Sequence, residues 1–117
     1  MSGRVVFQAQ PKRPDDIAHI PGIDFGPRLT KAGETLLDPI ADAIVFQVQR
    51  DDGVALVSGD LTVLVSSLTV DATKKIIAFE VEGGFDNVNY SVLMDALTST
   101  SRIEGAVVKM KVRERPS

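Results

Sequence analysis

The sequence predicts an all-β protein, an antiparallel β-sandwich that follows an extended N-terminal arm. From residue 41 onward, apolar side chains alternate with polar ones, which is the period of a strand with one buried face. Turn signals separate the alternating segments at steady intervals. Five of the 6 prolines lie in the first forty residues, where each removes a hydrogen-bond donor and favours extended backbone. We therefore assign residues 1–32 to the arm and residues 33–117 to the sandwich domain.

The arm holds one short strand candidate, Val5 to Gln10, and the only histidine, His19. A short strand of this kind can add to the edge of a partner's sheet. An arm that lies along a neighbouring protein and a loop that edges its own sandwich agree equally well with this composition. Five apolar side chains form the candidate partner interface: Val5, Val6, Phe7, Ile20 and Phe25.

Five segments of the domain alternate, and a tight-turn signal at Asp52-Gly53 follows the first of them. Helices fit these segments less well, because Pro39 interrupts one apolar stretch and β-branched residues crowd the end of another. The apolar sets of the five segments are Ile44, Phe46 and Val48; Leu61, Val63 and Val65; Ile77, Phe79 and Val81; Tyr90, Val92, Met94 and Ala96; and Val108, Met110 and Val112.

The last segment carries a basic face opposite its apolar one. We interpret this face as solvated, or as a protection against edge-to-edge pairing. The outward Glu80 and Glu82 of an earlier segment predict cross-strand ion pairs with it. The basic residues are Lys109, Lys111, Arg113 and Arg115.

The only tyrosine, Tyr90, opens the penultimate segment, just after the loop with Gly83, Gly84 and Asp86. In immunoglobulin-like sandwiches, a tyrosine at this place turns its hydroxyl back to the backbone a few residues upstream. A hydrogen bond of this kind is called a tyrosine corner. The position of Tyr90 predicts a tyrosine corner and an immunoglobulin-like fold, and the structural residues of the corner are Tyr90, Asp86 and Gly84. The alternative is a tyrosine half-buried at a sheet edge that makes no special bond.

No catalytic constellation is evident in the sequence. The chain has 0 cysteines, and its single histidine lies in the arm. The serines fall in strand-like or loop segments without a strained nucleophile elbow. We therefore expect no enzymatic activity. The serines considered are Ser66, Ser67, Ser99 and Ser101.

The sequence also lacks a convincing motif for binding a metal ion, a cofactor or a nucleic acid. The pairs Asp15-Asp16 and Asp51-Asp52 lack the alternating oxygen ligands and distal Glu of a calcium loop. The glycine-bearing stretch Gly83–Ser91 precedes no predicted helix, so a dinucleotide site does not fit. A net charge of −3 does not suggest a binder of phosphate backbones. We expect no metal, cofactor, nucleic acid or small-molecule substrate.

No apolar run approaches the roughly 18 residues of a membrane span, and the N-terminus lacks the apolar core of a secretory signal. We therefore expect no membrane partner. We expect the protein to be made in a cytoplasm and to reach its destination by assembly.

Two groups of short motifs follow one another along nearly the whole chain, from Lys12 to Arg115. The first group is Lys12, Pro14 and Asp15, then Asp24-Phe25, Leu29, and the stretch Gly33-Glu34-Thr35-Leu36. The second group is Leu68–Val70, the Gly-rich turn before Tyr90-Ser91-Val92, a Thr-Ser stretch with Arg102, and the basic ending Lys111–Arg115. In this order the motifs resemble the fiber-tail adaptor proteins of tailed bacteriophages. Phe25 stands where that family often has tryptophan, and residues 1–10 precede the family's usual start.

The resemblance implies an immunoglobulin-like structural component of a virion, an adaptor that joins the phage tail to fibers or tailspikes. Its partners would be tail tube or adaptor proteins and fiber or tailspike proteins, and its copies would form a homo-oligomeric ring. Two alternatives stay open. One is another structural role in a phage particle, in a head decoration or a baseplate, and the other is a stand-alone module that binds carbohydrate or protein.

Overall fold

The computed structural model describes residues 5–26, 29, 33, 35–37, 44–100 and 102–113, with Val5 and Pro21 described by their backbone alone. The described residues form strands in two sheets that pack on each other, so the predicted all-β sandwich class is confirmed. The strands are β1 (Val5–Gln8), β2 (Ala18–Asp24), β3 (Ile44–Arg50), β4 (Thr62–Val70), β5 (Ile76–Glu82), β6 (Val88–Leu97) and β7 (Ile103–Val112).

One sheet has four strands in the order β1-β7-β6-β3, and the other has three in the order β2-β5-β4. All pairings are antiparallel, as predicted, except that β1 runs parallel to β7. These two strands lie far apart in the sequence, so no tight hairpin constrains their relative direction. Each sheet has two edges, formed by β1 and β3 in one and by β2 and β4 in the other.

The core lies between the sheets. The apolar sets predicted for β5, β6 and β7 are fully buried. Those of β3 are half-buried, because β3 is an edge strand. The two sheets meet at the rings of Phe46 and Phe79, whose centroids are 5.1 Å apart at an interplanar angle of 59°.

Strand β4 does not keep the alternation that its sequence suggests. Its register against β5 shifts between Leu64, opposite Glu80, and Thr69, opposite Ala78. The Ser67 hydroxyl closes this bulge, because it donates to the Leu64 carbonyl and accepts a 2.7 Å hydrogen bond from the Glu80 N–H. As a result, Val65 is 55% exposed instead of buried.

The described part of residues 5–26 is built into the two sheets. Strand β1 pairs with β7, and β2 pairs with β5. A register shift between Ile20 and Ile23 lets both side chains face the core, although they are three positions apart. Pro21 and Gly22, which has a φ of +63°, occupy this irregularity. These contacts correspond to a segment that edges its own sandwich, the alternative to an arm lying along a partner.

Lys12 continues the parallel pairing beyond β1. Its N–H donates to the Lys111 carbonyl at 3.0 Å, and its own carbonyl accepts from the Arg113 N–H at 2.8 Å. The Lys12 side chain is buried, and its ammonium donates to the Arg13 carbonyl. Burial lowers the pKa of Lys12, while Asp16 and Asp15 act in the opposite direction. The segment between β1 and β2 is therefore anchored to the end of β7.

Candidate protein interaction surface

The outer face of the four-stranded sheet carries an apolar row. Along β7, alternate side chains point into the core, so Val107 points outward. In the strand register, Val107 lies between Val6 of β1 and Leu93 of β6. Val6 is 67% exposed, and the other two are half-buried. Three adjacent strands therefore place apolar side chains side by side on a face that points away from the core.

Three further apolar side chains extend this row towards one end of the sheet. Ile103 and Leu97 face each other across β7 and β6, and Val45 lies on β3. Ile103 is 66% exposed and Val45 is 68% exposed. We call these six residues the outer apolar band: Val6, Val45, Leu93, Leu97, Ile103 and Val107. Asp95 lies among them on the outer face of β6, between Leu93 and Leu97 and opposite Val45. Exposed apolar side chains grouped on one face in this way mark protein interaction sites on soluble proteins.

A polar network borders the outer apolar band. The Lys109 ammonium donates to the Ser91 hydroxyl at 2.8 Å, and that hydroxyl donates to an Asp51 carboxylate oxygen at 2.6 Å. The Lys109 nitrogen lies 3.7 Å from the other Asp51 oxygen. The three side chains tie β7, β6 and the turn after β3 together. An apolar centre with a polar border is the usual anatomy of a protein interface.

The expected ion pairs of Glu80 and Glu82 with the basic face of β7 are wrong. Strand β5 lies in the three-stranded sheet, so it is not a neighbour of β7. Lys109 pairs with Asp51 instead, and the Arg113 guanidinium donates to the Asn89 side chain at 3.2 Å. Arg115 lies outside the described residues, as do Glu34 and Ser101.

The residues predicted as a partner interface separate into two groups. Val6 lies in the outer apolar band, whereas Phe7 is half-buried against the core. Ile20 and Phe25 are 1% and 0% exposed, so their side chains contact the chain's own core. The side chain of Val5 lies outside the described part of the structure.

The tyrosine corner contains a buried carboxylate. The Tyr90 hydroxyl accepts a 3.0 Å hydrogen bond from the Phe85 N–H, five residues upstream, as expected from the sequence. It also donates to the Asp60 carboxylate at 2.5 Å. The second Asp60 oxygen accepts from the Val57 N–H at 2.7 Å, and an Arg50 nitrogen lies 3.7 Å from the first. Asp60 therefore connects the loop before β4 to the start of β6.

Two glycines fit closely around this corner. A Cβ atom at Gly84, whose φ is +101°, would lie 2.8 Å from Cγ2 of Val112. At Gly83, with a φ of +79°, it would lie 2.9 Å from the Asp60 carbonyl oxygen. Asp86 is exposed in the turn that follows, where the Val88 N–H donates to the Phe85 carbonyl. Gly84 is thus a packing residue of the corner, and Asp86 belongs to its turn.

The corner predicts an alkaline pH dependence of stability. Burial, followed by the hydrogen bond to Asp60, raises the pKa of Tyr90 from 10.0 to about 12. Between these values the unfolded chain has released the proton and the folded chain holds it, so stability falls as pH rises. We expect the free energy of unfolding to fall by an amount on the order of 2 kcal/mol from pH ~10 to pH ~12. Denaturant unfolding at several pH values measures this change.

Tyr90→Phe is the control for this dependence. Because the variant lacks the hydroxyl, its free energy of unfolding at neutral pH is about 1 kcal/mol lower than that of the wild type. Its free energy of unfolding also falls less steeply at alkaline pH than that of the wild type. Parallel declines of the two proteins would contradict the assignment to Tyr90.

A second exposed apolar cluster lies in the loop between β3 and β4, where the sequence raised no expectation. Val54, Leu56 and Val57 are each at least 44% exposed, and Phe85 is 39% exposed at the neighbouring turn. The Asp52 side chain accepts from the Val54 N–H at 2.9 Å and shapes this loop. An open pocket of about 420 Å³ separates the loop from the end of β3. We call Val54, Leu56, Val57 and Phe85 the loop cluster.

The residues that the structure describes contain no group of three or more His, Cys, Asp or Glu side chains able to hold a metal ion. His19 is exposed on β2, opposite Glu80. Within the described ranges there is also no helix long and apolar enough to cross a membrane. No protein-family model, curated protein or solved structure matches this chain.

Proposed function

We propose that this chain is a structural protein that joins other proteins, and that it serves in a tailed-phage virion as an adaptor between the tail and its fibers or tailspikes. The observation that carries the proposal is the outer apolar band, which leaves Val6, Val45 and Ile103 about two-thirds exposed on a hydrogen-bonded sheet. A surface of this kind is stabilised when a partner protein covers it.

The strand order supports the finer proposal of an immunoglobulin-like sandwich. In that fold, one sheet contains the second, fifth and fourth strands, and the other contains the third, sixth and seventh. Here β2-β5-β4 and β7-β6-β3 have these orders, with β1 added beside β7. A tyrosine that bonds to upstream backbone near the start of the penultimate strand belongs to the same pattern.

An adaptor needs two separate contact surfaces, because it holds two partners at once. The outer apolar band lies on the four-stranded sheet, and the loop cluster lies at the β3–β4 connection and the turn before β6. We assign one partner to each surface. This observation favours an adaptor over a single-site carbohydrate-binding module, the alternative that the sequence left open.

Motif residues of the resemblance stabilise the sandwich rather than a reactive site. Phe25, Leu29 and Leu36 are buried in the core. The Leu36 N–H donates to the Lys74 carbonyl at 2.8 Å, and Lys12 anchors the segment beside β7. Such residues preserve shape, which is what a joining protein requires. We accordingly propose a non-enzymatic role within the virion, with copies arranged in a ring and with tail and fiber proteins as partners.

Immunogold electron microscopy tests this proposal. An antibody raised against the purified chain would be applied to particles produced by the genome that encodes it. We expect label at the tail, where fibers or tailspikes attach. Label on the head or baseplate would favour the other structural roles, and a chain that remains outside the particles would contradict a virion function.

A further inference from the structure

Among the described residues, no strand pairs with the outer edge of β3, and an open pocket separates the end of β3 from the loop of Val54 and Leu56. Of the other three edges, β1 is only four residues long, β2 has a register shift at Pro21 and Gly22, and β4 has the bulge closed by Ser67. Short strands, prolines and bulges are the usual protections of sheet edges. Strand β3 is seven residues long, keeps one register against β6, and carries no proline, bulge or charge from Ile44 to Gln49.

Three residues of β3 direct their backbone groups away from β6. The Asp51 N–H donates to the Asn89 carbonyl at 2.9 Å, which places that pair in hydrogen-bonded register. In an antiparallel ladder such pairs alternate. Val45, Gln47 and Gln49 therefore bond to β6, while the N–H and C=O groups of Ile44, Phe46 and Val48 point to the open edge. Among the described residues, no backbone group pairs with them there.

The same three residues leave apolar surface incompletely covered. Ile44, Phe46 and Val48 face the core, yet each is only half-buried, whereas the core-facing residues of β6 are fully buried. An additional strand beside β3 would bond to the open backbone groups and cover these side chains in one step.

We infer that the strand which covers this edge is β3 of a second copy of the chain, in an antiparallel dimer with its two-fold axis at Phe46. Phe46 then pairs with Phe46, and Ile44 with Val48, so the three open residues of each copy exchange six hydrogen bonds. Arg50 lies outside this pairing, because its carbonyl already accepts from the Gly53 N–H and its guanidinium pairs with Asp52.

The β3 edge suits a second copy because it is self-complementary. An apolar row meets an identical apolar row, and the uncharged stretch from Ile44 to Gln49 offers no repulsion to itself. The dimer joins two four-stranded sheets into one of eight strands and places the two outer apolar bands on a continuous face. The dimer uses the backbone edge of β3, whose Val45 also belongs to the outer apolar band, but it does not depend on the proposed function.

Gln47 provides the test, since it is exposed and its two copies lie diagonally across the axis, roughly 7–8 Å apart. Sedimentation equilibrium at low salt should show wild-type dimers. Gln47→Lys and Gln47→Glu should each raise the dimer dissociation constant about fivefold. An equimolar mixture of the two variants should dimerise at least as well as the wild type, because opposite charges then meet across the axis. The matched controls Gln10→Lys and Gln10→Glu are exposed beside β1 and should dimerise as the wild type does.

Circular dichroism confirms that each variant is folded before it is compared. A wild-type protein that stays monomeric at the highest attainable concentration would overturn the inference. So would a dimer that all Gln47 variants leave unchanged, or a mixture that dimerises no better than either variant alone.

Discussion

Asp60→Ala is expected to lower the free energy of unfolding by about 3 kcal/mol. The substitution removes the acceptor of both the Tyr90 hydroxyl and the Val57 N–H. Tyr90 is fully buried, so water does not replace the lost carboxylate at its hydroxyl. Denaturant unfolding at neutral pH measures the change.

Asp52→Ala is the matched control, because Asp52 also pairs with Arg50 but is exposed. We expect it to cost less than about 1 kcal/mol, as exposed ion pairs do. Asp60→Asn keeps an acceptor oxygen and should be intermediate. If Asp60→Ala costs no more than Asp52→Ala, the buried network does not hold the corner together.

Phe79→Ala is expected to cost about 4 kcal/mol, the largest effect of any single truncation considered for this chain. Phe79 is 0% exposed at the centre of the three-stranded sheet, and its ring packs against Phe46 of the opposite sheet. Removal of the ring leaves a cavity where the two sheets meet. Phe85→Ala is the matched control, since Phe85 is 39% exposed and should cost about 1 kcal/mol. Equal losses of unfolding free energy from both variants would contradict the placement of the core.

The strands that could be predicted from sequence are those with uninterrupted alternation. Strands β6 and β7 keep one register along their length, and the extra residues in the two pairings of β5 lie in β2 and β4. The period of two therefore survives in the sequences of β5, β6 and β7. Strand β2 lacks this signal, because its irregularity places Ile20 and Ile23 on the same face. The β4 bulge likewise turns Val65 outward through a hydrogen bond that depends on Glu80 of another strand. In both β2 and β4, pairing with another strand determines which side chains face the core, and the local sequence does not contain this information.

In the candidate sites, too, contacts between residues close in sequence could be predicted and contacts between distant residues could not. The corner of Tyr90 was predictable because its partner Phe85 lies five residues away, whereas Asp60 lies 30 residues upstream. The outer apolar band depends on the register of four strands. A partial signal was present in Val92-Leu93-Met94 and Val107-Val108, where consecutive apolar residues place apolar side chains on both faces of a strand.

The central claim is that the outer apolar band joins this chain to another protein of the particle. The most direct test is the incorporation of Val6→Lys into particles in cells that lack the wild-type gene, quantified by immunoblot. Val6 is 67% exposed, and the control Val65→Lys changes a 55% exposed valine on the other sheet. We predict that both variants fold with unchanged melting temperature, that Val65→Lys is incorporated normally, and that incorporation of Val6→Lys falls about tenfold or more. Normal incorporation of a folded Val6→Lys protein would contradict the claim.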